Sequence, residues 1–145
     1  MTLSDASRVA TLVLTVAMVT LLLRHELFAH GPAGVTLQVL AGLLMLWARL
    51  TFGRRSFHAA ASPTAGGMVT SGPYHFLRHP IYAAILIFIW ASLPSNLSVV
   101  SATAVLVATA SSAVRIYAEE RLLVQRYPEY AAYAAHTKRM IPYVI

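Results

Sequence analysis

Between Pro80 and Val114 the chain runs for 35 residues without one Asp, Glu, Lys or Arg. No soluble domain can present so long an uncharged stretch to water, so the natural setting is a bilayer. Pro94-Ser95-Asn96 divides the stretch into two apolar halves, which together read as a tight helical hairpin. The first limb is bulky, with Ile85, Leu86, Ile87, Phe88, Ile89 and Trp90. The second repeats small residues at helical spacing: Ser98, Ala102, Ala104, Ala108 and Ser112. That pattern lets helix backbones approach closely in lipid, where burying apolar surface gives no drive of its own.

The rest of the chain agrees with this setting. Of 145 residues, 58% are hydrophobic and only 11% charged, which is too apolar for an ordinary soluble domain. We expect one integral membrane domain over residues 1–145. The net charge of +6 would suit nucleic acid only if the basic residues formed a face on a soluble fold. They sit beside apolar runs instead, so no nucleic-acid partner is expected. The chain has no cysteine, which excludes disulfides, thiol catalysis and cysteine-ligated metal. No histidine spacing suggests a metal centre either.

After a short polar lead, Met1 to Arg8, the run Val9 to Leu23 is bounded by Arg8 and Arg24. A cleaved signal peptide is the alternative there, disfavoured by Asp5 before the run and by Arg24, His25 and Glu26 after it. A second run, Ala33 to Ala48, follows the His30-Gly31-Pro32 turn and ends in Trp47 and Arg49. Gln38 and Gly42, four apart on one face of it, read as a helix contact rather than a ligand site. The connection from Arg49 to Arg78, with Arg54, Arg55 and Gly66-Gly67, is either a surface linker or a cover over a site. The fold class expected is all-α: four transmembrane helices, then a short helix after Pro128 carrying Tyr130 and Tyr133. Arg49–Arg78 holds four basic residues and the chain from Arg115 onward five, nine of the eleven. Both termini should therefore be cytoplasmic, in a bacterial inner membrane.

A polar, turn-rich segment from Thr70 to Ala84 leads into the hairpin and delivers Tyr74, His75, Arg78, His79 and Tyr82 to its mouth, with Pro80 where a helix can begin. Polar groups crowded at a membrane boundary are costly to desolvate, so either a site or an interfacial belt is read here. Beyond the hairpin come Glu119 and Glu120, with Arg115 one turn earlier. Neighbouring helix positions diverge by about 100 degrees, so the two carboxylates are not expected to face the same partner. An ordinary i,i+4 ion pair with Arg115 accounts for one of them.

Gly72-Pro73-Tyr74, Arg78-His79-Pro80-x-Tyr82, Glu119-Glu120, Tyr127-x-x-Tyr130-x-x-Tyr133 and Thr137-x-Arg139-x-Ile141-Pro142 together resemble the isoprenylcysteine carboxyl methyltransferase and phospholipid methyltransferase superfamily. The resemblance covers roughly the C-terminal half of the chain. It implies a membrane methyltransferase with S-adenosylmethionine as cofactor. Tyr74, His79 and Tyr82 would line the cofactor pocket, and Glu119 and Glu120 would hold its amino group or ribose hydroxyls. A lipid-like acceptor, most simply the carboxylate of an isoprenylated cysteine, would enter from the bilayer. Arg139, or else Arg78, would hold that carboxylate, since a guanidinium fork matches it in geometry. Ala84 stands where the family usually has glycine. If the acceptor were a phospholipid amine, His79 or His75 could act as base. Two further alternatives remain: a nicotinamide-dependent membrane reductase, since sterol reductases share the Arg-His-Pro-x-Tyr element, and a catalytically silent scaffold.

Overall fold

A computed structural model describes residues 2–53 and 67–140. Arg54, Arg55, His58, Gly66, Ile141 and Pro142, and with them most of the expected cover loop, lie outside the described residues. Within them the secondary structure is helical apart from one isolated bridge. Five α-helices follow in order: α1 (Leu3–Leu23), α2 (Pro32–Phe52), α3 (Pro80–Ser92), α4 (Val99–Arg126) and α5 (Tyr130–His136).

Helix α1 begins earlier than its apolar run suggests. Thr2 accepts from the Asp5 N–H while the Asp5 carboxylate accepts from Thr2, a capping box that draws the polar lead into the helix. Proline starts α2 at Pro32 and α3 at Pro80, as expected, and Ser98 with Ser101 caps α4. Helices α1, α2 and α4 are long and apolar enough to cross a membrane. Helix α3 has 13 residues, about 20 Å at 1.5 Å per residue against roughly 30 Å of hydrocarbon. Of the four transmembrane helices expected, three are long enough to span by themselves, and the fourth is the shorter apolar stretch Pro80–Ser95.

The hairpin is also looser than expected. Helix α4 lies chiefly against α1, and α3 chiefly against α2. The buried stripe of α4 (Ser101, Ala104, Ala108, Ser111, Ser112) meets that of α1 (Ser7, Ala10, Leu14, Ala17, Leu21), so small residues do bring these two backbones together. Ile89 of α3 and Val105 of α4 join Leu14, Leu21 and Leu27 in the core. On α2, Gln38 is the helix contact expected: its side chain donates to the carbonyls of Leu27 (2.9 Å) and Phe88 (3.0 Å) and accepts from the Ala29 N–H (2.9 Å). Gly42 is exposed, with open space where a Cβ would point, and has no share in that contact. The outward faces of α1 and α2 carry Val9, Leu12, Val16, Leu40, Leu43 and Leu46, an apolar surface suited to lipid.

Candidate functional site

Chain geometry just before α3 is fixed by one glycine. Gly72 has φ +56, and a Cβ there would stand 2.6 Å from Thr51 Oγ1, so only glycine lets the turn lie on the end of α2. The 3₁₀ turn Gly72–His75 follows, with the Tyr74 ring 5.4 Å from that of Phe52. The chain from Phe76 to His79 then pairs with the segment after α5. Arg78 N–H donates to the Lys138 carbonyl (2.7 Å), His79 N–H to that of Arg139 (2.9 Å), and Lys138 N–H to that of Phe76 (3.1 Å), around a parallel bridge between Leu77 and Lys138. The tail is thus a strap that holds Arg78 and His79 by their backbones.

Because α3 leaves this turn and α4 returns to it, His79 and Tyr82 meet Glu119 and Glu120. Tyr82 donates to Glu119 Oε1 (2.5 Å), and Arg115 donates through Nε to Tyr82 Oη (2.6 Å) and approaches Glu119 Oε1 through a terminal nitrogen (3.4 Å). Glu120 Oε1 takes Arg78 (3.1 Å) and His79 Nε2 (3.3 Å), and Glu120 Oε2 takes Arg139 (3.1 Å). His79 Nδ1 stands 3.6 Å from Glu119 Oε2. The two glutamates therefore do share a partner, contrary to expectation. The imidazole lies between them and offers one nitrogen to each, which absorbs the divergence of neighbouring helix positions.

The cations facing the two carboxylates are the protein's own. Three guanidiniums, from Arg78, Arg115 and Arg139, meet two carboxylates, leaving the cluster a net positive charge before His79 is counted. Glu119 Oε2 is the least committed carboxylate oxygen. Burial opposes protonation of His79, yet its hydrogen bonds to Glu119 and Glu120 and their charges prevail, holding it above its ordinary value. Arg78 Nε and Tyr130 Oη are both shut from solvent with no strictly aligned partner, and the Tyr130 hydroxyl lies within hydrogen-bonding reach of the Arg78 side chain. Burial first, then the charge of Glu120, opposed by the neighbouring Arg78, pushes the Tyr130 phenol up to about 12, so it keeps its proton.

The family profile of isoprenylcysteine carboxyl methyltransferases matches residues 34–125, which include the whole of α3 and both glutamates. The chain belongs to the isoprenylcysteine carboxyl methyltransferase family. The match begins inside α2, further forward than the motifs alone reach, and stops short of α5 and the strap. The chain is also 32% identical, over 139 residues, to the cobalt-zinc-cadmium resistance protein CzcN of Cupriavidus metallidurans, an alignment covering 86% of this chain and 60% of that protein. It thus spans about three fifths of that relative's length. No solved structure matches it. Family membership and the long apolar helices make the chain a multi-pass membrane protein of a methyltransferase family.

Of the residues singled out from the sequence, Arg78, His79, Tyr82, Glu119, Glu120 and Arg139 come together. Tyr74 lies beside them but is held elsewhere, its ring on Phe52 and its carbonyl accepting the Tyr133 hydroxyl (2.6 Å). His75 is exposed and stacks edge-on against Phe76, away from the cluster. Ala84 is fully buried, so its methyl is absorbed in packing. The geometry adds Arg115 and Tyr130. Arg115 falls on the same stripe as Ala108 and Ser112, seven and three positions earlier, a periodicity that marks it as inward-facing. Tyr130 stands in the Tyr127-x-x-Tyr130-x-x-Tyr133 motif, which gave it no role.

Proposed function

We propose that this chain is an S-adenosylmethionine-dependent methyltransferase that converts the carboxylate of a lipid-like acceptor, in the first instance an isoprenylated cysteine, into its methyl ester. Its four apolar helices pass through a bacterial inner membrane with both termini cytoplasmic, a topology supported by the excess of basic residues beside the cluster. The observation that carries the reading is the meeting of Arg78, His79 and Tyr82 with Glu119 and Glu120, in a member of this family. The donor set fits the cofactor's zwitterionic end. Glu119 Oε2, whose contact with His79 Nδ1 is long at 3.6 Å, has capacity left to accept from an ammonium group or ribose hydroxyls, and the surplus guanidinium charge suits a carboxylate.

In this reading Tyr74, His79, Tyr82, Glu119 and Glu120 bind the cofactor. When bound, S-adenosylmethionine supplies a methyl group on a cationic sulfur, so that a C–O bond to the acceptor forms as the C–S bond breaks and its electron pair returns to sulfur. Arg139, its side chain 56% exposed and, among the described residues, tied to Glu120 Oε2 by an ion pair, exchanges that partner for the acceptor carboxylate and orients it. Arg78 steadies Glu120 from the other side. An acceptor carboxylate is already an anion and needs no base. His79, whose proton affinity the two glutamates raise above that of a free imidazole, is the less ready to take a further role as base, which weighs against an amine acceptor.

Calorimetry on the protein in mild detergent tests this. The wild type should bind S-adenosylmethionine, while Glu120→Gln and Tyr82→Ala should weaken binding about 100-fold with helix content unchanged. Unchanged affinity in both variants removes these residues from the pocket. Binding of a nicotinamide cofactor instead would identify a reductase, and binding of neither would leave a scaffold.

A further inference from the structure

We infer that the outward face of α4 around Arg121 binds the headgroup of an anionic phospholipid, in the leaflet on the His79 side of the membrane. The inference needs α4 to span the bilayer and does not depend on the methyltransferase reading. Helix α4 has 28 residues, about 42 Å at 1.5 Å per residue against roughly 30 Å of hydrocarbon. The Arg24–Glu26 pair beside Ser98 marks the far boundary, at the start of the helix. About 20 residues counted from there fill the hydrocarbon, so the near boundary falls around Tyr117. Arg121 stands one turn beyond it, at headgroup depth.

Helical spacing sets what this face offers. Val107, Val114 and Tyr117 are exposed on it, an apolar track along which an acyl chain can lie. Arg121 follows Tyr117 by one turn and its guanidinium carbon stacks 5.2 Å from the ring centroid, with exposed Gln125 a turn further on. The boundary thus presents a phenol, a guanidinium and an amide in one row. Charge names the partner. Of the five acidic residues, Asp5 bonds Thr2, Glu26 bonds Arg24, Glu119 and Glu120 serve the cluster, and Glu129 forms no ion pair among the described residues. Arg121 accordingly has no carboxylate partner among them, unlike Arg78, Arg115 and Arg139. A guanidinium without a carboxylate, at the end of a lipid-facing apolar track, matches a phosphodiester in charge and in geometry. A zwitterionic headgroup brings a cation of its own to the same place, so an anionic lipid is preferred.

Native mass spectrometry of the full chain, released from micelles holding equal phosphatidylglycerol and phosphatidylcholine, reads which lipid is retained. The wild type should keep phosphatidylglycerol in preference. Arg121→Gln should lower that retention about fivefold, the effect of one basic residue at an anionic surface, with phosphatidylcholine and helix content unchanged. Arg121→Lys, which keeps the charge, should retain most of the preference, and Tyr117→Leu, which removes the ring under the guanidinium, should show a smaller loss in the same direction. Arg126→Gln removes another exposed charge, about 140 degrees around the helix, and should change little. Equal losses from Arg121→Gln and Arg126→Gln would reflect overall charge rather than a site, and would overturn the inference. A wild type without preference would overturn it too. So would a dimer that Arg121→Gln converts to monomer, since the face would then be an interface between copies of the chain.

Discussion

The two ends of the α3–α4 pair face the same problem, polar groups at the edge of an apolar bundle, and solve it differently. At the Pro94 end Ser95 and His30 bond reciprocally (3.0 and 2.8 Å), Asn96 donates to the Phe28 carbonyl (2.8 Å), and the single cation there, Arg24, pairs with the single carboxylate, Glu26 (2.9 Å). Each of these groups has its partner. At the His79 end three guanidiniums meet two carboxylates, so the charges do not balance. An apolar groove of about 640 Å³ between α2 and α3 lies at the matched end, lined by Leu37, Ile87 and Trp90. Room alone therefore does not mark the site; unbalanced polarity does.

The largest effect should come from breaking the unbalanced end. Arg115→Met removes a buried guanidinium that serves both Tyr82 and Glu119, leaving the carboxylate with a single strong donor. Stripping one partner from a buried pair costs about 3 kcal/mol, because the other charge stays behind. Reversible unfolding in mixed micelles should register that loss, and calorimetry a matching loss of S-adenosylmethionine binding. A loss below about 1 kcal/mol would mean that Glu119 finds water or another donor readily.

A smaller effect is expected from the matched end. Gln38→Leu deletes three neutral hydrogen bonds and leaves the Ala29 N–H and the Leu27 carbonyl short of a buried partner. That should cost about 2 kcal/mol of stability. Cofactor affinity should not move, since Gln38 lies at the opposite end of α2 from Gly72 and the cluster. A change in affinity comparable to that of Arg115→Met would erase the distinction between the two ends.

Helix limits were readable where proline punctuates the chain, at Pro32, Pro80 and Pro94, because a missing N–H has only local consequences. The start of α1 was not, since Thr2 and Asp5 look like any polar lead until their capping bonds are seen. Which helix packs on which was hidden too: the period of small residues on α4 names a buried face, but not that α1 rather than α3 covers it. At the site, the i,i+3 spacing of His79 and Tyr82 and the adjacent glutamates were legible as chemistry. The strap was not, because Arg78 and His79 are held through backbone atoms of residues 138 and 139, and a backbone ladder writes no side-chain signature. The surplus of positive charge likewise depends on Arg115 turning inward and Arg139 folding back, both matters of tertiary placement.

The smallest effect is one of pH, and it sharpens the same contrast. His79 faces Glu119 on one nitrogen and Glu120 on the other, with the Tyr82 ring 5.9 Å away and Arg78 sharing Glu120 Oε1. Burial disfavours its charge, the hydrogen bonds and charges of the two glutamates favour it, and the balance lies above the ordinary value of 6.5. A base whose folded value is raised binds its proton more tightly in the folded state, so its contribution to stability is complete below 6.5 and fades as pH rises through the folded value. The wild-type thermal midpoint, measured from about pH 6 to about pH 8.5, should therefore fall relative to that of His79→Gln, which cannot titrate. The fall should be less than either substitution produces, because burial works against the glutamates. A wild-type midpoint that instead rises relative to the variant as pH passes 6.5 would show His79 held neutral in the folded protein, and would restore it as a candidate base for an amine acceptor.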